Sequence, residues 1–257
     1  MPRDLVLTDP YEISLTVPGY FRLDPFLAAN FAHRQVTMLV RRASAIILRA
    51  EFGERLSVVG RGDIGQVVAL LERNAGRLGK LEFALLPHGI EEAYPGHVER
   101  TLGVAEIGAW EWMSCYTPPP YQEGEERCRI LGDEDRGEIA ELLKNANPIA
   151  TTSPDDERFR WWGYRDESGT LLSVCAMKVP EAGRQGLHLA SFGTRPDARR
   201  RGIGRAMMAV MTRWGITHHG YVHYGVWTDN QAAIQLYRRL GYSIGAAVQM
   251  YRRPRRR

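Results

Sequence analysis

The chain has little cysteine, no long apolar run and almost no excess charge. Its three cysteines, Cys115, Cys128 and Cys175, show neither metal-ligand spacing nor an obvious pairing. A disulfide scaffold and a cysteine zinc site are thereby excluded, no metal is expected, and all three read as small core hydrophobes. No apolar stretch approaches the roughly 20 residues that a membrane helix needs, so no membrane partner is expected. The start, MPRDLVLTDPYE, has no basic segment followed by an apolar one. Together with the scarce cysteine, this predicts a cytoplasmic protein. The net charge is +4, yet five arginines fall in the last six residues, and without them it is 4 − 5 = −1. The basic balance thus belongs to a tail over 252–257 and not to a basic fold, and nucleic acid is not expected as a partner.

What remains is an ordinary globular composition, 44% hydrophobic over 257 residues, enough for one large or two small domains. Residues 1–22 show no clear period, and Asp24 to His33 reads as a short helix. β-branched runs at 35–40, 43–48 and 56–59 read as strands. Gly60-Arg61-Gly62-Asp63-Ile64-Gly65 follows the third, with a helix behind it. This matches the glycine pattern of a dinucleotide turn. Asp63, however, would set a negative charge against a pyrophosphate, so the stretch reads as a strand-to-helix turn capped by Asp63. A strand over 80–86, a helix beginning at 88–93 and a long strand over 103–116 complete a first α/β domain, 1–116. The proline-rich and then acidic stretch 117–126 reads as a linker.

The second domain is expected over 127–257. It should carry a short strand at 128–131, a helix at 133–145, a hairpin of strands at 158–164 and 171–179, and a turn over 180–186. A central strand over 187–194 leads into Arg199-Arg200-Arg201-Gly202-Ile203-Gly204. Two glycines let the backbone turn tightly and leave its N–H groups bare, and the helix behind them adds a positive dipole end. Such a loop suits a pyrophosphate. Ile203, Met207, Val210, Met211 and Trp214 fall at helical spacing, with Gly215 expected to stop the helix. A strand over 221–227 follows. Then comes a helix capped at Thr228-Asp229-Asn230, with Ala233, Leu236, Tyr237 and Leu240 on its inner face. A last strand is expected over 243–251.

Strand, T-x-P, R-x-x-G-x-G, helix, strand and N-x-A-A-x-x-L-Y-x-x-L-G-Y, running from Leu187 to Tyr242, resemble the GNAT superfamily of acyl-CoA-dependent N-acetyltransferases. The resemblance implies a mixed, mostly antiparallel α/β sheet with helices on both faces. The first half would be a smaller, degenerate GNAT-like α/β domain, an analogy of layout without repeated sequence. The resemblance also implies acetyl-CoA, or another acyl-CoA, as cosubstrate, with its pyrophosphate on the amides of Arg199, Arg200, Arg201, Gly202, Ile203, Gly204 and Arg205. Phe192, Gly193 and Thr194 would pair with the pantetheine arm, and the Phe192 N–H would polarise the thioester. Asn230 would contact the arm as well as cap its helix. Tyr237 matches the tyrosine that protonates the departing sulfur, where the plainer reading is a core tyrosine. His188 stands where histone-type relatives carry a glutamate base, where the plainer reading is a structural strand histidine.

The implied activity is direct transfer of an acetyl group, in a ternary complex, to a primary amine on a small molecule or peptide. The alternatives are transfer of a longer acyl group and an acyl-CoA sensor without turnover that engages a protein partner. Oligomers are compatible with either.

Overall fold

The computed structural model describes residues 4–180 and 186–254. Residues 181–185, inside the turn expected over 180–186, and 255–257, inside the expected tail, lie outside the described residues. The chain forms two compact units: Met1–Glu111 with Gly245–Arg257, and Trp112–Ile244.

In the first unit the elements are β1 (Leu5–Leu7), α1 (Pro10–Leu23), α2 (Pro25–Phe31), β2 (Gln35–Arg42), β3 (Ala45–Phe52), β4 (Arg55–Gly62), α3 (Ile64–Leu78), β5 (Leu81–Pro87), α4 (Ile90–Ala93) and α5 (His97–Leu102). β6 (Ala105–Cys115) begins in this unit and ends in the second. Helix α1 lies where no period is visible, because only Ile13 and Val17 are buried on it. Its readable signal is local: the Asp9 carboxylate accepts from the Tyr11 and Glu12 N–H groups, and Pro10 takes the first helical position. The glycine turn at 60–65 behaves as a capped turn. Asp63 accepts from the Gln66 N–H at 3.0 Å and occupies the helix end that a phosphate would use. A Cβ on Gly62 would lie 1.9 Å from the Ser44 carbonyl oxygen, so that glycine is needed by the neighbouring strand.

The second unit runs through β7 (Cys128–Ile130), α6 (Arg136–Ala146), β8 (Arg160–Arg165), β9 (Leu171–Lys178), β10 (Leu187–Thr194), α7 (Ile203–His219), β11 (Val222–Trp227) and α8 (Gln231–Arg239). The chain ends in β12 (Ser243–Arg252). From β6 the strand order is β6-β11-β10-β9-β8-β7. Pairing is antiparallel for β7/β8, β8/β9 and β9/β10, and parallel for β10/β11. The first unit repeats this plan, with β2/β3 and β3/β4 antiparallel and β4/β5 parallel. Both halves are thus mixed, mostly antiparallel sheets with helices. Strand β9 is buried at every residue but Lys178, since α7 packs on the face carrying Cys175 and Met177 and α6 on the face carrying Val174 and Ala176. A near-continuous apolar strand is the expected mark of a sheet covered on both faces.

Four expectations need correction. The last strand was expected to close 127–257, but β12 pairs antiparallel with β5, Val248 facing Pro87 and Tyr251 facing Ala84, within the first unit. The tail does not start at 252: Arg252 ends this strand, and the Arg253 Nε donates to the Leu81 carbonyl at 2.7 Å. The stretch 117–126 is docked in the second unit. Glu125 is only 5% exposed and is paired with Arg213, whose guanidinium also donates to the Pro119 carbonyl at 3.1 Å. Finally, Gly215 does not stop α7, which continues to a C-cap at Gly220 with φ 81°. Gly215 is instead a contact point, where a Cβ would come within 2.4 Å of Val222 Cγ2.

Candidate active site

The site is built around a break in β10. Ala190 faces Ala176 on β9 and Gly193 faces Val174, so Ser191 and Phe192 together stand opposite Cys175. An extra residue bends a strand and parts it from its neighbour. Ser191 has φ +49°, a conformation that costs a non-glycine residue about 1–3 kcal/mol. The surroundings hold it there. Asn147, the C-cap of α6, donates from Nδ2 to the Phe192 carbonyl at 3.0 Å. The Phe192 N–H donates to the Tyr224 hydroxyl. Thr194 Oγ1 lies 2.8 Å from Ser173 Oγ, which also donates to the Gly193 carbonyl.

The loop after β10 turns through two left-handed residues, Arg200 at φ +62° and Gly202 at φ +82°. Gly202 is the N-cap of α7 and has no side chain to cap it. The N–H groups of a helix's first turn have no preceding turn to bond to, so a positive, donor-rich end faces outward here. The amides expected over 199–205 narrow to 200–204, because the Arg199 and Arg205 N–H groups donate to the Pro196 and Gly202 carbonyls. Arg199 is a clamp: its guanidinium donates to the Thr194 and Ala146 carbonyls, each at 3.1 Å, tying the loop to β10 and α6. Gly204 stands beside the bulge, where a Cβ would be in ordinary contact with the Phe192 ring at 3.4 Å.

Phe192, Gly193, Thr194, Arg199, Arg200, Gly202, Ile203, Gly204, Arg205, Asn230 and Tyr237 line one cleft of about 800 Å³. Four arginines and no carboxylate line it. Arg201 faces an adjoining, more polar cavity of about 610 Å³, which shares Gly202, Ile203 and Arg205 with the cleft and has Glu126 and Asp166 in its lining. Asn230 caps α8, its Oδ1 accepting from the Ala233 N–H at 3.2 Å.

Tyr237 is 2% exposed and packs edge-on against Tyr224, with ring centroids 5.2 Å apart. Its hydroxyl is hydrogen-bonded to that of Tyr224. Burial, reinforced by the neighbouring Tyr224, holds the Tyr237 phenol well above its ordinary range, so it is protonated and able only to give its proton near neutral pH. Tyr224 thus links the Phe192 N–H to Tyr237. Neither Tyr224 nor Asn147 is marked by a motif. Only the strand alternation of 222–227 hints that Tyr224 turns inward.

His188 does not line this cleft. Its register partners are Lys178 on β9 and His223 on β11. Burial first, and then the Lys178 ammonium, bring its pKa down to about 4, so the ring is neutral near pH 7. Cys115 and Cys175 are buried and Cys128 is half-buried, as expected of small hydrophobes. Among the described residues no cluster of His, Cys, Asp and Glu could hold a metal, and no helix is long and apolar enough to cross a membrane.

A family model described as the acetyltransferase (GNAT) family matches residues 107–242, just over half of the chain. This chain belongs to the GNAT acetyltransferase family. No curated protein matches it by sequence. Solved structures share the fold. A GCN5-related N-acetyltransferase from Sphaerobacter thermophilus is 17% identical with TM-score 0.57, over 97% of this chain and 95% of that one. A GNAT-family acetyltransferase from Colwellia psychrerythraea is 11% identical with TM-score 0.55, over 97% and 98%. One described as a putative GNAT acetyltransferase from Novosphingobium aromaticivorans is 16% identical with TM-score 0.51, over 84% and 91%. The likeness to the first two spans both halves of this GNAT chain. In its first half the turn at 60–65 stands at the place of the loop at 199–204, between the third hairpin strand and the following helix. There a carboxylate caps the helix in place of an open donor set.

Proposed function

We propose that this GNAT protein moves an acetyl group from acetyl-CoA to a primary amine by direct attack in a ternary complex. The reading rests on one observation above all. A strained bulge at Ser191–Phe192, the uncapped start of α7 and Tyr237 converge on a cleft lined by four arginines and no carboxylate. A molecule that carries both a thioester and a doubly charged pyrophosphate is the kind that such a cleft fits.

The N–H groups from Arg200 to Gly204 and the α7 dipole would hold the pyrophosphate, with Arg205 beside them and Arg199 fixing the loop. Phe192, Gly193 and Thr194 would offer the parted edge of β10 to the pantetheine arm. The Phe192 N–H would polarise the thioester carbonyl once the Tyr224 hydroxyl gives way, a donor worth about 3–4 kcal/mol. Tyr237 would give its proton to the thiolate as it leaves, and Asn230 would hold the arm from the other side. His188, neutral and outside the cleft lining, would accept the proton shed by the amine through a water. Every one of these residues lies in the second unit, Trp112–Ile244.

A sensor that binds acyl-CoA without turnover is favoured by a different observation: Tyr224 already occupies both the Phe192 N–H and the Tyr237 hydroxyl. Calorimetric titration with acetyl-CoA, followed by thiol release across a panel of primary amines, separates the two. Binding with thiol release supports acetyl transfer, binding without release from any amine supports the sensor, and absence of binding rejects both.

A further inference from the structure

His188 and His223 stand opposite one another on β10 and β11. Their Nδ1 atoms are 3.3 Å apart and their ring centroids 4.8 Å apart. Trp112 Nε1 lies 3.1 Å from the same His223 Nδ1. An indole N–H can only donate. His223 Nδ1 must therefore carry a lone pair, which makes His223 the Nε2–H tautomer. A second lone pair pointed at it from His188 would be repelled. His188 must then present Nδ1–H, sharing the His223 acceptor with the indole. In a neutral imidazole with a proton on Nδ1, the lone pair is on Nε2.

The surroundings keep both rings neutral. His223 is 6% exposed, and a proton on its Nδ1 would face the indole N–H; burial holds its pKa well below the ordinary value. Around His188 the charged or titratable neighbours are Lys178 and His223, and the Lys178 ammonium further disfavours an imidazolium. Tyr221 packs beside His223, with ring centroids 5.8 Å apart, and its phenol is raised to about 12.

We propose that Trp112 and His223 are positioning residues that lock His188 in the Nδ1–H tautomer, leaving Nε2 as the atom that takes, through a water, the proton of the attacking amine. This rests on the acetyl-transfer reading above. In the step, the amine nitrogen bonds to the acyl carbon and the carbon–sulfur bond breaks. One nitrogen proton passes through a water to His188 Nε2, and the thiolate takes the Tyr237 proton. His188 then returns its proton and Tyr237 regains one, so the net products are an amide and the CoA thiol. A weak base suffices, because a nitrogen already bonded to an acyl carbon is far more acidic than a free ammonium.

Long-range proton–nitrogen NMR on the full chain with ¹⁵N-labelled histidine reads the tautomers directly, with His188→Gln and His223→Gln assigning the signals. Near pH 7, His188 should appear as Nδ1–H and His223 as Nε2–H. His188 found as Nε2–H overturns the proposal. Trp112→Phe keeps an aromatic ring and removes the indole donor. It should mix the tautomers and lower kcat by about tenfold, with the amine KM and the acetyl-CoA Kd unchanged. Tautomers unmoved in Trp112→Phe overturn the lock. If the wild-type tautomers are as stated but no amine releases thiol, the acetyl-transfer reading fails and the base role fails with it.

Discussion

Asn147 and Phe192 are joined by one hydrogen bond, from the Asn147 Nδ2 to the Phe192 carbonyl at 3.0 Å. It holds the bulge from the end of α6, while Tyr224 takes the N–H of the same residue. The peptide groups around Phe192 are thereby fixed on both sides. A fixed donor loses little when charge develops beside it, which is where electrostatic catalysis has its advantage.

Tyr237→Phe keeps the ring and removes one hydroxyl. Acetyl-CoA affinity should stay within about twofold and kcat should fall by about 100-fold or more, the usual size of a lost general acid. The loss should appear in kcat and not in KM, because the proton is needed only as the thiolate leaves. An unchanged kcat under chemistry-limited conditions would make Tyr237 a packing residue.

Gly202→Asp sets a carboxylate at the start of α7 where the phosphate is proposed. A Cβ at Gly202 meets no atom within 4 Å, so the cost to the fold is the positive φ alone, about 1–2 kcal/mol. Acetyl-CoA should bind at least about tenfold more weakly than to the wild type. Gly202→Ala carries the same backbone strain without the charge and should bind closer to wild type. Calorimetry on both variants separates strain from repulsion, and equal affinities for the two would remove the anion site.

Gly215→Ala tests close packing of α7 on the sheet. The new Cβ would lie 2.4 Å from Val222 Cγ2 and 2.8 Å from Leu187 Cδ2. Overpacking of this kind costs about 1–3 kcal/mol. Urea denaturation should show a lower midpoint with an unchanged slope. A midpoint equal to wild type would mean that α7 has room to retreat.

Stability should depend on pH through His188 and His223. Their folded pKa values are depressed, that of His188 from 6.5 to about 4. The unfolded chain therefore binds more protons between these values, and stability rises with pH across that window. It is fully present above about 6.5 and is lost as pH falls toward 4. Melting temperatures from pH 4 to 8 should show this rise, and His188→Gln should flatten it. An equal slope in that variant would assign the effect to other groups.

Tyr251→Ala probes β12. The Tyr251 side chain is fully buried in the first unit's core, and its hydroxyl donates to Glu91 at 2.9 Å. Truncating so large a buried ring costs about 3–5 kcal/mol. Hydrogen exchange should quicken in β4 and β5 of the first unit. Protection unchanged there would mean that the strand contributes little to that core.

The loop at 199–204 and the helix carrying Tyr237 were legible in the sequence because their causes are local. A left-handed residue before a helix calls for glycine, and Asn230 caps the helix it begins. Local too were Asp63 on its own helix and the strand pattern of β9. Tyr224, Asn147, His223 and Trp112 were not legible, because each acts across strands or from another helix and only pairing register brings it to its partner. Gly215 read as a stop because sequence shows its missing Cβ but not the Val222 methyl that requires it. The last strand shows the same limit. Its period marks 243–251 as a strand, but a strand's hydrogen bonds suit any open edge, and only the tertiary structure sets it on β5.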